Sequence, residues 1–312
     1  KSYDRFIQDG YHPYKHILLA TGTTIEDIKT INTELERYSP ALALRDQIIV
    51  ANKSDILDTD RVDIAAFEEY VKENGFDIGV AFDGDADRCL AVDEKGEIID
   101  GDMFMAILAK RFSEEGRLNK NMLIPTIMSN MGLFKFAEEN GISCYPTKVG
   151  DRYVLERMLA DGYNIGGEQS GHVIFLDYCT TGDGQTTAAQ LLSLMKRKGC
   201  ALSECAKVME RFPQVMINVK ISPQGKNKVD SDDEIQKKIA QVASQLEGHG
   251  RILVRESGTE PLVRVMLEGS DYAEIETLAK ETAETVEDTG TEETVTDETV
   301  ETVETSEGDS GQ

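Results

Sequence analysis

Three aspartates stand at alternate positions in "GVAFDGDADRCLAVD", residues 79–93: Asp83, Asp85 and Asp87, with Arg88 directly after them. Two like charges about 5 Å apart repel by roughly 3 kcal/mol at an effective dielectric of about 20. Three ionised carboxylates therefore need a cation or protons. Several readings compete. An EF-hand loop matches at positions one, three and five, and Glu94 falls at position twelve, but Arg88 stands where the sharp turn needs glycine. A structural acidic turn is a second reading. A Mg²⁺ site is the third: the ion is hard, takes a few carboxylates and keeps room for a phosphate oxygen, to which Arg88 is suited.

Three further stretches bear groups able to bind or move protons. "GGEQSGH", residues 166–172, sets Glu168, Ser170 and His172 among glycines; these groups can hold sugar hydroxyls by directional hydrogen bonds, or the stretch is a polar turn. "RESGTEPLVR", residues 255–264, places Arg255, Ser257, Thr259 and Arg264 around Gly258. That is either a phosphate nest or a hairpin loop. "TKVGDRY", residues 147–153, brackets Gly150 with Lys148 and Arg152 at a strand-to-helix junction, where ligands sit in α/β folds; a solvated lysine is the plainer reading of Lys148.

The elements that must position these groups follow an α/β rhythm. Helical "TDRVDIAAFEEYVKENG" precedes strand "DIGVAF", and "CLAVDEKGEIID" reads as a hairpin turning at Glu94–Gly96. Helix "DMFMAILAKRF", strand "NMLIPTIM", helix "GLFKFAEENG", strand "ISCYPTKVG", helix "YVLERMLADG", broken strand "YNIGGEQSGHVIF" and helix "QTTAAQLLSLMKRKG" follow. Such alternation predicts βαβ units and a largely parallel sheet. From 211 the order becomes strand, helix, two strands, helix, as in a small α+β domain.

The chain has 312 residues and a net charge of −25, which opposes nucleic acid or an anionic membrane as partner. Residues 281–312 hold 12 acidic and no basic residues, a composition expected of a disordered solvating tail. Five scattered cysteines without a CxxC pair suggest reduced thiols and a cytoplasmic setting. No apolar run is long enough to span a membrane, and the polar start is unlike a signal peptide.

Taken in order, "FDGDADR", "VGDRYVLE", "GGEQSGHVI" and "RESGTEPLVRV", with "TIMSNMGL" and "DYCTTGDGQTTA", resemble the α-D-phosphohexomutase family over about 76–289. The resemblance implies a magnesium-dependent isomerase that interconverts glucosamine 6-phosphate and glucosamine 1-phosphate through a phosphoserine and a hexosamine bisphosphate. Asp83, Asp85 and Asp87 would hold Mg²⁺. Glu168, Ser170 and His172 would hold the sugar. Arg255, Ser257, Gly258, Thr259 and Arg264 would grip the phosphate that is not transferred. Arg88 and Lys148 would assist transfer, Lys148 as acid or base. A non-catalytic sugar-phosphate module and another hexose-phosphate mutase are the alternatives.

The family's phosphoserine lies in a loop like "TASHNP", and no such loop occurs here, so a truncated mutase is expected. Residues 15–75 instead resemble part of an Obg-family GTP-binding domain. In "NKSD", Asn52 to Asp55, Asp55 would read a guanine edge. The chain has no GxxxxGK[ST] loop to cradle phosphates. The expected organisation is a GTPase-like α/β fragment over 1–75 and a phosphohexomutase domain 2 remnant over 76–100. Mixed α/β domain 3 follows over 101–210, the small α+β domain over 211–289 and the acidic tail over 290–312.

Overall fold

The computed structural model describes residues 17–21, 33, 37, 48–52, 64–221, 229, 231–257, 261–290 and 301–302. The chain divides into two compact units: Lys1–Ser129 with Leu133–Glu210, and Asn130–Gly132 with Arg211–Gln312.

In the first unit, β1 (Ile17–Thr21), β2 (Ile48–Asn52), β3 (Ile78–Phe82), β4 (Cys89–Asp93) and β5 (Ile98–Ile99) form one sheet in that order. β1, β2 and β3 run parallel, while β3–β4 and β4–β5 are antiparallel. The strand "IGVAF" is almost wholly buried, as a strand covered on both faces must be. Helix α1 (Ile64–Glu73) packs Phe67, Tyr70 and Val71 with Phe76 and Val92. Helix α2 (Gly101–Glu114) is apolar nearly all round and accordingly runs through the core, with Asp100 accepting the Met103 N–H as its N-cap.

Residues 122–175 carry short strands: β6 (Met122–Leu123), β7 (Ser143–Cys144), β8 (Ile165–Gly167) and β9 (Val173–Phe175). β6 pairs in parallel with β7, and β8 forms an antiparallel hairpin with β9. Isolated bridges Ile124–Gly166 and Thr126–Thr147 extend these pairings. The continuous strand expected over "NMLIPTIM" is thus fragmented, since Pro125 has no N–H to give to a ladder. Helices α3 (Met131–Glu139), α4 (Asp151–Asp161), α5 (Gly184–Lys198) and the short α6 (Leu202–Ala206) complete this part of the chain. One apolar cluster reaches from Ile78 through α2 to Leu191 and Met209, so residues 76–100 and 101–210 share a core.

The second unit is a sheet of order β11 (Gly250–Glu256), β12 (Leu262–Gly269), β10 (Gln214–Lys220), β13 (Glu301–Thr302), antiparallel throughout. Helices α7 (Asp233–Gln245) and α8 (Tyr272–Gly290) close over it, burying Ile235, Val242, Ile275 and Leu278 with Val215, Val219, Val263 and Val265. Glu268 is fully buried and accepts from Arg251, Asn130, Gln214 and the Met131 N–H. Among the described residues of the first unit, the parallel pairs β1–β2, β2–β3 and β6–β7 follow the expected βαβ rhythm, while β3–β4, β4–β5 and β8–β9 are antiparallel and depart from it. Of the acidic stretch 281–312, residues 281–290 are the end of α8 and not disordered tail, and Glu301–Thr302 pair with β10, where no strand was expected; its other residues, and Lys53, Ser54 and Asp55 of "NKSD", lie outside the described residues. Among the described residues no helix is long and apolar enough to cross a membrane.

Candidate functional site

The three aspartates occupy the turn between β3 and β4, where an antiparallel hairpin brings the carboxylates back on one another. One carboxylate oxygen from each of Asp83, Asp85 and Asp87 lies within 4.8 Å of the others. Asp83 is buried, Asp87 half-buried and Asp85 exposed. Asp83 Oδ1 accepts the Arg88 N–H at 3.1 Å, and the Arg88 guanidinium stands 3.7 Å from Asp83 Oδ2. Burial pushes the Asp83 carboxyl above its ordinary range; the Asp87 carboxylate beside it adds to this and Arg88 opposes it. Asp87 Oδ1 is buried and accepts no hydrogen bond. Hard oxygen donors this close, one of them unsatisfied, fit a small dication that binds at about 2.1 Å.

The loop is held in a costly shape. Ala86 has φ +60, a left-handed conformation worth about 1–2 kcal/mol of strain for a residue with a Cβ. The Gly184 N–H, at the start of α5, donates to the Ala86 carbonyl at 2.9 Å. This brings the positive end of a helix of 15 residues to the carboxylate loop. Asp183 caps that helix through the Thr186 N–H and hydroxyl. Glu94 takes no part in the loop: its carboxylate accepts the Ser203 N–H and hydroxyl, which removes the twelfth EF-hand ligand.

Residues 168–172 turn β8 into β9 and lie on the same hairpin. The Cys89 N–H donates to Gly171 O at 3.1 Å, and the Gly101 N–H to Gln169 O at 3.0 Å. Glu168 Oε1 accepts the Gly150 N–H at 2.9 Å, which attaches the "TKVGDRY" loop to the "GGEQSGH" loop. Ser170 and Lys148 are exposed; Arg152 pairs with Glu156. His172 was expected among the sugar ligands. It is instead buried, with Nδ1 at 2.9 Å from Asp87 Oδ2 and Nε2 accepting the Gly182 N–H at 3.0 Å, so neither nitrogen is left for a hydroxyl. Gly182 and Gly184 were missed as functional positions. Their signal was present in "TTGDG", two glycines around a helix-capping aspartate.

In the second unit Arg255 and Arg264 are directly opposed across the β11–β12 ladder. Like charges in register cost stability unless an anion lies near them. Ser257 is buried, with its N–H on Leu262 O at 2.8 Å. Gly258 and Thr259 lie outside the described residues.

Models of three successive domains of one family match the chain. Phosphoglucomutase/phosphomannomutase alpha/beta/alpha domain II matches residues 49–96, domain III residues 100–212, and the C-terminal domain residues 216–285. The first match begins inside the stretch that resembles a GTP-binding fragment, and β2 of that stretch pairs with β3 in one sheet. A phosphoglucosamine mutase of Clostridium tetani is 54% identical over 222 residues, 71% of this chain and 50% of that protein. The chain spans about half the length of the curated relatives it matches. Aspergillus fumigatus N-acetylphosphoglucosamine mutase, solved with GlcNAc-6P and magnesium, superposes with a TM-score of 0.61 at 22% identity, over 83% of this chain and 59% of that one. A variant of the same enzyme, in complex with glucose 1,6-bisphosphate, gives 0.65 at 20% identity over 92% and 63%.

Proposed function

The chain belongs to the phosphoglucomutase/phosphomannomutase family, and from that premise we propose that it carries the metal, sugar and phosphate sites of a hexosamine-phosphate mutase. The reaction is interconversion of glucosamine 6-phosphate and glucosamine 1-phosphate by way of a phosphoserine and a bisphosphate. The observation that carries the reading is the meeting, in one unit, of the carboxylate loop, the 168–172 loop and the 148–150 loop.

Asp83, Asp85 and Asp87 would hold Mg²⁺, which when bound neutralises charge on a phosphoryl group in transfer. Arg88, with about half its side chain exposed, has the reach to leave Asp83 for a phosphate oxygen. The Glu168 oxygen not bonded to Gly150 and the Ser170 hydroxyl bind sugar hydroxyls, which fixes the attacking oxygen. Lys148 moves a proton at that oxygen. Arg255, Arg264 and Ser257, with Gly258 and Thr259, grip the phosphate that stays.

Calorimetric titration with glucosamine 6-phosphate in Mg²⁺ tests this. Saturable binding that Asp85→Ala and Arg264→Ala each weaken is expected. A coupled assay with glucosamine 1,6-bisphosphate and a separately supplied phosphoserine domain then tests turnover. Absence of binding overturns the proposal, and binding without isomerisation reduces it to a sugar-phosphate module.

A further inference from the structure

Asp87 and His172 meet although 85 residues separate them in the chain. Asp83 is oriented by the backbone of its own loop, through the Arg88 N–H. No bond from that loop orients Asp87 among the described contacts; the bond it has is to the imidazole. A backbone N–H can only donate, so the Gly182 N–H fixes Nε2 as the unprotonated ring nitrogen. The proton is then on Nδ1 and points at Asp87 Oδ2. The ring is 3% exposed. A Cβ on Gly182 would stand 2.5–2.6 Å from three of its atoms, so the imidazole lies flat on a residue that has to be glycine. With Oδ2 held, Oδ1 is left as the oxygen free for an ion.

We infer that His172 is a positioning residue for the metal: as a neutral Nδ1–H tautomer it turns Asp87 so that Oδ1 faces the cation, with Gly182 setting the tautomer. The inference rests on the metal site proposed above and assigns His172 to the ion rather than to the sugar. Groups that orient a carboxylate ligand in this way are worth about 10–100-fold in metal affinity.

The test is Mn²⁺ binding to the full chain, read from the free-ion electron paramagnetic resonance signal, since Mn²⁺ takes the same oxygen ligands. His172→Leu should weaken binding by about tenfold or more. His172→Asn, whose amide N–H takes the place of Nδ1–H, should recover most of that loss. Gly182→Ala should weaken binding with the imidazole still present. Nitrogen-15 spectroscopy of the unmutated chain, which has four histidines, should show His172 as the Nδ1–H tautomer. An Nε2–H tautomer overturns the inference whether or not the variants fold. If Asp85→Ala abolishes binding while folded His172→Leu stays within about twofold of wild type, the metal reading survives and the positioning role fails. If the unmutated chain binds no Mn²⁺, both fail.

Discussion

The Glu168 carboxylate holds the Gly150 N–H at 2.9 Å and so places a negative charge at the N-terminus of α4. One side chain thereby fixes two loops. A hydrogen bond to a charged group contributes about 1.5–3 kcal/mol. Glu168→Ala is expected to weaken glucosamine 6-phosphate binding by about ten- to a hundredfold, on that range. Glu168→Gln keeps an acceptor and should lose less. Titration calorimetry of the two variants checks the order; equal losses would mean that the carboxylate's charge, not its bond to Gly150, sets affinity.

A cation should offset the burial and the neighbouring carboxylate that raise Asp83. The Asp83 carboxyl is raised, chiefly by burial. A raised carboxyl contributes stability that is fully present below its unfolded value and is lost as pH rises through the folded one. The stability difference between wild type and Asp83→Asn, measured in chelator, should therefore shift against wild type as pH rises. Added Mg²⁺ or Mn²⁺ should reverse the trend and raise the melting temperature. At a hundred times its dissociation constant the ion adds about 2.7 kcal/mol. Asp85→Asn should show no such rise.

Gly171 cannot be replaced cheaply. Its φ is +96, and a Cβ would fall 2.2 Å from the Cys89 carbonyl oxygen. Gly171→Ala is expected to cost about 3 kcal/mol or more, from backbone strain together with displacement of β4. Urea denaturation checks this. A loss below about 1 kcal/mol would show that the contact between the two loops gives way easily.

In the second unit, burial lifts the Glu268 carboxyl above its usual range, while Arg251 and the Met131 N–H pull it down. Removing one partner of a buried ion pair costs about 3–5 kcal/mol, which is the expected loss in Glu268→Ala. Because the folded value is raised, the carboxyl's proton-linked stability is present below about pH 4.3 and lost as pH rises through the folded value. The gap between wild type and Glu268→Gln should therefore change with pH in that window. A pH-independent gap would contradict the raised value.

Most elements were legible because their signals are local. The all-apolar "DMFMAILAKRF", the hairpin turn after Asp93 and the glycine after Lys198 each announce an element or its end within a few residues. Strand direction was only partly read: the short connections 83–88 and 168–172 leave no room for the crossover a parallel pair needs, so β4 pairs antiparallel with β3 and β9 with β8, a local signal that the βαβ rhythm obscured. The carboxylates of the site could be read from spacing alone. The role of His172 could not. In "GGEQSGH" it is one polar group among several, and only folding shows that its ring faces Asp87 and not the loop surface. Glu94 is the converse case, a residue with the right spacing for a ligand whose carboxylate is taken by Ser203.

The strained turn at Ala86 also bears on what could be moved elsewhere. Its shape is imposed from outside: by Gly184 on the Ala86 carbonyl, by Gly171 on Cys89 and by His172 on Asp87. A graft of residues 79–93 onto another hairpin would transplant three carboxylates without the mould that shapes them. The smallest portable unit would have to include 168–184 as well, and a scan for the acidic string alone would retrieve many loops that fold differently.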